Sequence, residues 1–162
     1  MEQVDLPKPG NLSERAGINT SIRPATREDI PTFIQLQKND GFSHQYYLNR
    51  ERLELLFDRG EQFFVATHEG KPVGFASVDC EQRATAHFLC VDKKHKRRGI
   101  GRLLMKTLID ETKKRGLSRL DSYVEANSSK EIFLEKNGFV LAGFYTNRYG
   151  NGQDASIWKI EW

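Results

Sequence analysis

The strand-forming run Ala86-His87-Phe88-Leu89-Cys90-Val91 leads through Lys93-Lys94-His95-Lys96-Arg97-Arg98 into Gly99-Ile100-Gly101, after which Leu104, Leu108 and Thr112 recur at helical spacing. No other stretch constrains the fold as much, because it places a strand, a cationic loop and a helix head to tail. The start of a helix leaves backbone N–H groups unpaired, and its positive dipole end favours an anion. Glycines there let the backbone close around a bulky phosphate. Taken alone, the cationic run would more often be a solvated face or a nucleic-acid contact. The strand before it and the amphipathic helix after it select a pyrophosphate cradle.

The rest of the chain supplies a sheet and a few helices. Residues 1–20 are polar and carry Pro7, Pro9, Gly10 and Gly17, so they are read as a flexible N-terminal extension ahead of one domain over residues 21–162. That domain opens on a strand at Ser21–Ala25. Thr26 to Asp29 then offer a cap and first-turn acids for a helix carrying Ile30, Phe33, Ile34 and Gln37. A second helix is expected at about Arg50 to Phe57. Strands are expected over Phe63–Thr67 and Val73–Val78, joined by a hairpin at Glu69-Gly70-Lys71-Pro72. Gly116 is placed to end the long helix before a strand at Leu120–Val124. Ser128 and Glu131 read as a capping box, and Phe139–Tyr145 and Ala155–Ile160 as strands around Asn151-Gly152.

Two blocks resemble the GNAT superfamily of acyl-CoA-dependent N-acyltransferases. Lys96-Arg97-Arg98-Gly99-Ile100-Gly101 is similar to that family's central motif, with Lys96 where Arg or Gln is usual. Downstream, Asn127 through Phe139 resembles its Asn, helix, Lys-x-Gly-Phe element. The resemblance implies an α/β fold with a mixed, mostly antiparallel central sheet flanked by helices. It also implies acetyl-CoA as acyl donor and a primary amine of a small molecule, peptide or protein as acceptor.

Carried over position by position, the resemblance assigns Leu89, Cys90 and Val91 to the pantetheine arm, with the N–H of Cys90 or Val91 as oxyanion donor. Lys96, Arg97, Arg98, Gly99, Ile100, Gly101 and Arg102 surround the pyrophosphate, and Asn127 touches the pantetheine or serves as a turn residue. His87 falls where many family members carry a glutamate, and an imidazole titrates close enough to neutrality to accept a proton. Glu81 is the alternative base. The usual family tyrosine is replaced by Leu134, which leaves Tyr145, Tyr149 or water to protonate the departing thiolate. Leu134 also sustains a second reading, a non-catalytic acyl-CoA-binding sensor.

Composition narrows the remaining classes. A chain of 162 residues with 38% apolar content and ten phenylalanines supports one core. A net charge of +3 does not imply nucleic acid, and no apolar stretch is long enough to span a bilayer, so neither nucleic acid nor membrane is expected as a partner. Cys80 and Cys90 flank an expected hairpin at Glu81-Gln82-Arg83-Ala84 and lie out of register for a bridge across it, so free thiols and a cytoplasmic setting are expected. No metal site is expected. A homodimer is left open.

Overall fold

The computed structural model describes residues 19–40 and 47–162. Residues 1–18 of the expected extension lie outside the described residues. Thr20 already belongs to the first strand, β1 (Thr20–Pro24), where it is buried with its hydroxyl 2.8 Å from His68 Nδ1. The sheet thus begins one residue before the expected boundary.

Four helices and six further strands follow among the described residues: α1 (Ile30–Asp40), α2 (Arg50–Asp58), β2 (Gln62–His68), β3 (Lys71–Asp79), β4 (Ala84–Val91), α3 (Ile100–Lys114), β5 (Arg119–Glu125), α4 (Ser129–Lys136), β6 (Val140–Tyr145) and β7 (Ala155–Glu161). They form one seven-stranded sheet in the order β1-β2-β3-β4-β5-β7-β6. Every neighbour pair is antiparallel except β4 and β5, which run parallel. This is the mixed, mostly antiparallel architecture that the resemblance implied.

Local chemistry accounts for the connections. The β2–β3 hairpin turns on Glu69 and Gly70, both at positive φ (51° and 76°), the twist a two-residue hairpin needs. A three-residue 3-10 turn, Arg27–Asp29, precedes α1, and Asp29 accepts the Thr26 N–H at 2.9 Å. Gly116 leaves α3 at φ 77°, as its position suggested. One expected cap is not formed. Ser128 does precede α4, yet its hydroxyl donates to the Glu125 carbonyl at 2.6 Å instead of capping the helix, so no capping box with Glu131 closes.

Each face of the sheet carries its own core. On one face α3 buries Ile100, Leu104, Leu108 and Ile109 against Val73, Ala76, Val78, Val91 and Leu120. On the other, α1 and α2 bring Ile30, Phe33, Leu36 and Leu53 onto Phe63, Val65, Phe75 and Cys90. Phe33 stacks on Phe75 and Phe63 at centroid distances of 4.5 and 5.4 Å, and each such ring removed from water stabilises by about 1.5–3 kcal/mol. Gln37 is also buried. Its amide accepts from Leu48 N–H at 2.7 Å and donates to Leu48 O at 3.1 Å, so it ties the segment entering α2 to α1. Cys80 and Cys90 are both free thiols, as expected.

Candidate active site

The site begins where the parallel seam ends. β4 and β5 pair only at Ala84–Leu120, Thr85–Asp121 and Ala86–Ser122, and beyond that the two strands part. A cleft of about 500 Å³ opens between them, walled by β4, β5, the stretch leading into α2, α2 itself, α4 and the loop before β7.

His87 stands at the point of divergence. The β3–β4 register steps from Ser77–Phe88 to Val78–Ala86, so His87 is the extra residue of a β-bulge. The bulge breaks the strand's alternation. Ala86 stays with the α3 face, while His87 joins Phe88 on the α1–α2 face, their rings 5.9 Å apart edge to face. There His87 Nδ1 lies 2.9 Å from Oε1 of Glu61, whose side chain is only 3% exposed. Ser77 donates its hydroxyl to the same oxygen at 2.6 Å. A carboxylate oxygen offers only acceptance, so Nδ1 carries the hydrogen, and in the neutral imidazole Nε2 is left as the acceptor nitrogen. His87 lines the cleft.

Beside His87, the strand edge supplies backbone donors. Asp92 N–H donates to Val73 O at 2.8 Å, and bonded pairs recur at every second residue of an antiparallel ladder. Cys90 and Phe88 therefore bond to β3, and the peptide groups of Leu89 and Val91 face the cleft side. Of the two expected oxyanion donors, Cys90 N–H is committed to the sheet and Val91 N–H is not. The Cys90 side chain is buried on the opposite face, its thiol 3.4 Å from Leu36 O and pushed up in pKa chiefly by that burial.

The cationic loop forms a second 3-10 turn, Lys93–His95, with Asp92 capping Lys94 N–H at 2.9 Å. Arg97 and Gly99 adopt positive φ (63° and 81°), and the first helical bond of α3 is Leu103 N–H to Gly99 O at 3.0 Å. The N–H groups of Gly99, Ile100, Gly101 and Arg102 thus have no partner within the helix. A Cβ on Gly101 would lie 3.3 Å from the Phe133 ring, so glycine keeps the space between α3 and α4 open. Lys96 behaves differently from its neighbours, its ammonium forming an ion pair with Asp40.

The remaining expected residues divide. Tyr149 lines the cleft together with Leu134, which is buried in the α3-side core. Tyr145 is 51% exposed on β6 and packs under the Arg148 guanidinium, 5.2 Å from its ring centre. Asn127 is exposed at φ 63°, the turn conformation that a short polar side chain tolerates. Glu81 lies exposed in the β3–β4 connection. Sequence reasoning passed over Glu61, Ser77 and Tyr123. Glu61 follows Gly60 at the end of a charged helix and reads as a solvated loop acid; only β2–β3–β4 pairing brings it to His87.

Residues 59–141 match the family model described as an acetyltransferase (GNAT) domain. The chain belongs to the GNAT acetyltransferase family. It is 33% identical over 135 residues to an uncharacterized N-acetyltransferase of Methanocaldococcus jannaschii, an alignment covering 74% of this chain and 60% of that protein. It is 36% identical over 96 residues to the ribosomal protein bS18-alanine N-acetyltransferase of Escherichia coli, covering 57% of this chain and 65% of the relative. The chain thus spans less than two thirds of the length of both. The crystal structure of the Escherichia coli ribosomal-protein-S18-alanine enzyme superposes with a TM-score of 0.76 at 27% identity, covering 88% of this GNAT chain and 93% of that one. The PaiA N-acetyltransferase of Thermoplasma acidophilum, solved in complex with coenzyme A, has the same fold, with a TM-score of 0.74 at 21% identity over 90% of this chain and all of that one.

Proposed function

We propose that this chain is an N-acetyltransferase that moves the acetyl group of acetyl-CoA to a primary amine of a small molecule, peptide or protein. The observation that carries the reading is the bulge that sets His87 at the mouth of the β4–β5 cleft with its Nδ1 anchored on buried Glu61. An orienting carboxylate behind an imidazole is the arrangement of a general base.

The residues present fit the donor. The unpaired N–H groups at the start of α3, with Arg97, Arg98 and Arg102 around them, suit a pyrophosphate; the peptide groups of Leu89 and Val91 suit an extended amide-bearing arm. When bound, acetyl-CoA supplies an activated thioester carbonyl. His87 Nε2 takes the proton from the attacking amine, directly or through water. Val91 N–H is the backbone donor for the negative charge that develops on the acyl oxygen. Tyr149, the one of the two expected tyrosines that lines the cleft, is assigned to protonate the departing sulfur. The free thiols of Cys80 and Cys90 fit a reducing compartment, and we place the enzyme in the cytoplasm.

The test is a thiol-release assay with acetyl-CoA and a panel of amines. The wild-type chain should release coenzyme A in the presence of an accepted amine, and His87→Gln should lower turnover by about 10²–10⁴ while acetyl-CoA affinity holds. Tight acetyl-CoA binding with no thiol release for any amine would refute the enzyme reading and leave a sensor.

A further inference from the structure

The arginines among the described residues fall into two groups. Arg23, Arg27, Arg50, Arg115 and Arg119 each form an ion pair with a carboxylate. Among the described residues, Arg52, Arg59, Arg83, Arg97, Arg98, Arg102 and Arg148 form none. Arg97, Arg98 and Arg102 belong to the cradle, where an anion is expected, and Arg83 lies in the β3–β4 turn. The other three, Arg52, Arg59 and Arg148, all line the cleft.

Their placement is ordered. Arg52, Leu56 and Arg59 are spaced i, i+4 and i+7 along α2 and its C-terminal cap, so both guanidinium groups come from one helical stripe on one wall. Arg148 comes from the facing wall, in the loop between β6 and β7. That loop is braced, with Asn147 N–H donating to Asp154 at 2.7 Å and Gly152 N–H donating to the Asn147 side chain at 2.8 Å. The Arg148 guanidinium lies 4.9 Å from the Tyr123 ring centre and 5.2 Å from that of Tyr145. Contacts with ring faces hold the planar cation in place while its in-plane N–H donors stay available for a carboxylate. Among the described residues one carboxylate, Glu125, lines the cleft, and it answers little of this charge. Glu125 faces Lys130 at 3.7 Å. Glu61, behind His87, is spoken for by the imidazole and Ser77.

We infer that the acceptor is the amino terminus of an acidic peptide, whose amine reaches His87 while side-chain carboxylates in its first residues engage Arg52, Arg59 and Arg148. The inference rests on the acetyltransferase reading above. Guanidinium groups on two walls call for more than one carboxylate, which an acidic peptide offers and a monocarboxylate amine does not.

The test compares transfer from acetyl-CoA to three synthetic peptides that share one N-terminal residue and carry Asp/Glu, Ala/Ser or Lys/Arg at the next three positions, with free glutamate as a fourth acceptor. The expected order in kcat/KM is acidic, neutral, basic, with a preference that shrinks as salt is raised. The Arg52→Glu, Arg59→Glu double variant should invert the acidic-to-basic ratio, and Arg148→Gln should reduce it by about two- to fivefold. Equal rates for the three peptides, or a ratio that neither variant moves, would overturn the proposal. So would faster transfer to free glutamate than to the acidic peptide. Transfer to none of the acceptors, with acetyl-CoA bound, would overturn the acetyltransferase reading as well, whereas equal transfer to all leaves that reading standing.

Discussion

Replacing Glu61 by glutamine separates a residue that positions the base from one that merely fills the core. In the wild-type chain one carboxylate oxygen accepts from His87 Nδ1 at 2.9 Å and from Ser77 Oγ at 2.6 Å, with the side chain almost wholly buried. Hydrogen bonds to a charged group contribute about 1.5–3 kcal/mol each and neutral ones about 1 kcal/mol, so two bonds lose about 1–4 kcal/mol in Glu61→Gln. Removing a buried charge offsets much of that, and the net change in stability should be small. The rate should respond far more. Glutamine can donate its own N–H to Nδ1 and leave the hydrogen on Nε2, the tautomer that cannot accept a proton. Loss of general-base catalysis costs about 10²–10⁴ in turnover, or about 3–5 kcal/mol in the barrier. Thiol release with an amine accepted by wild type, and thermal unfolding of the same samples, would measure both. Because Glu61 acts only through His87, the Glu61→Gln, His87→Gln double variant should be no slower than His87→Gln alone. A Glu61→Gln enzyme within threefold of wild-type kcat, or losses that multiply in the double variant, would refute the dyad.

Two further expectations come from other parts of the molecule. Gly101→Glu places a bulky anion where even a Cβ meets Phe133 at 3.3 Å, at the start of α3 beside the cradle arginines; calorimetry should show acetyl-CoA binding abolished with circular dichroism unchanged, and retained affinity would move the donor site elsewhere. The Asp29 carboxyl is held below the usual range, first by hydrogen bonds from Arg23 at 2.7 and 2.9 Å, against the opposing effect of burial, and then by the Thr26 N–H and the Arg23 charge. A depressed folded-state pKa means its stabilisation is present above the unfolded-chain value of about 3.9 and is lost as pH falls through the lower folded value. Asp29→Asn should therefore cost about 1 kcal/mol in urea unfolding at pH 7 and progressively less in acid, and a gap that does not narrow would contradict the assignment.

Features set by neighbours in the chain were legible, and those set across the sheet were not. The strand, the loop glycines and the start of α3 could be read because they are contiguous, and the turns at Glu69-Gly70 and Asn151-Gly152 because Gly70, Asn151 and Gly152 tolerate the positive φ found there. The bulge at His87 could not, since it exists only as a mismatch between β4 and β3. Glu61 and Ser77 reach His87 through three strands. Gln37 read as one more residue of an apolar stripe, although its buried amide serves the backbone of Leu48. Ser128 and Glu131 have the spacing of a reciprocal cap, but the Ser128 hydroxyl found a nearer acceptor in the carbonyl of Glu125.

The parting of β4 from β5 leaves a length of strand edge inside the sheet, and its donors are main-chain groups. Substitution of Leu89 or Val91 changes what packs against α3 and leaves the N–H in place; only proline would remove it. Selection on those side chains therefore acts through packing volume alone, while the polar lining of the cleft is copied with the backbone. A site written in peptide groups can survive long divergence of sequence, in keeping with a fold shared with solved structures at 21% and 27% identity. The side chains around that edge, a histidine on a bulge and three arginines with no carboxylate of their own, are where the proposed chemistry and specificity would differ between members.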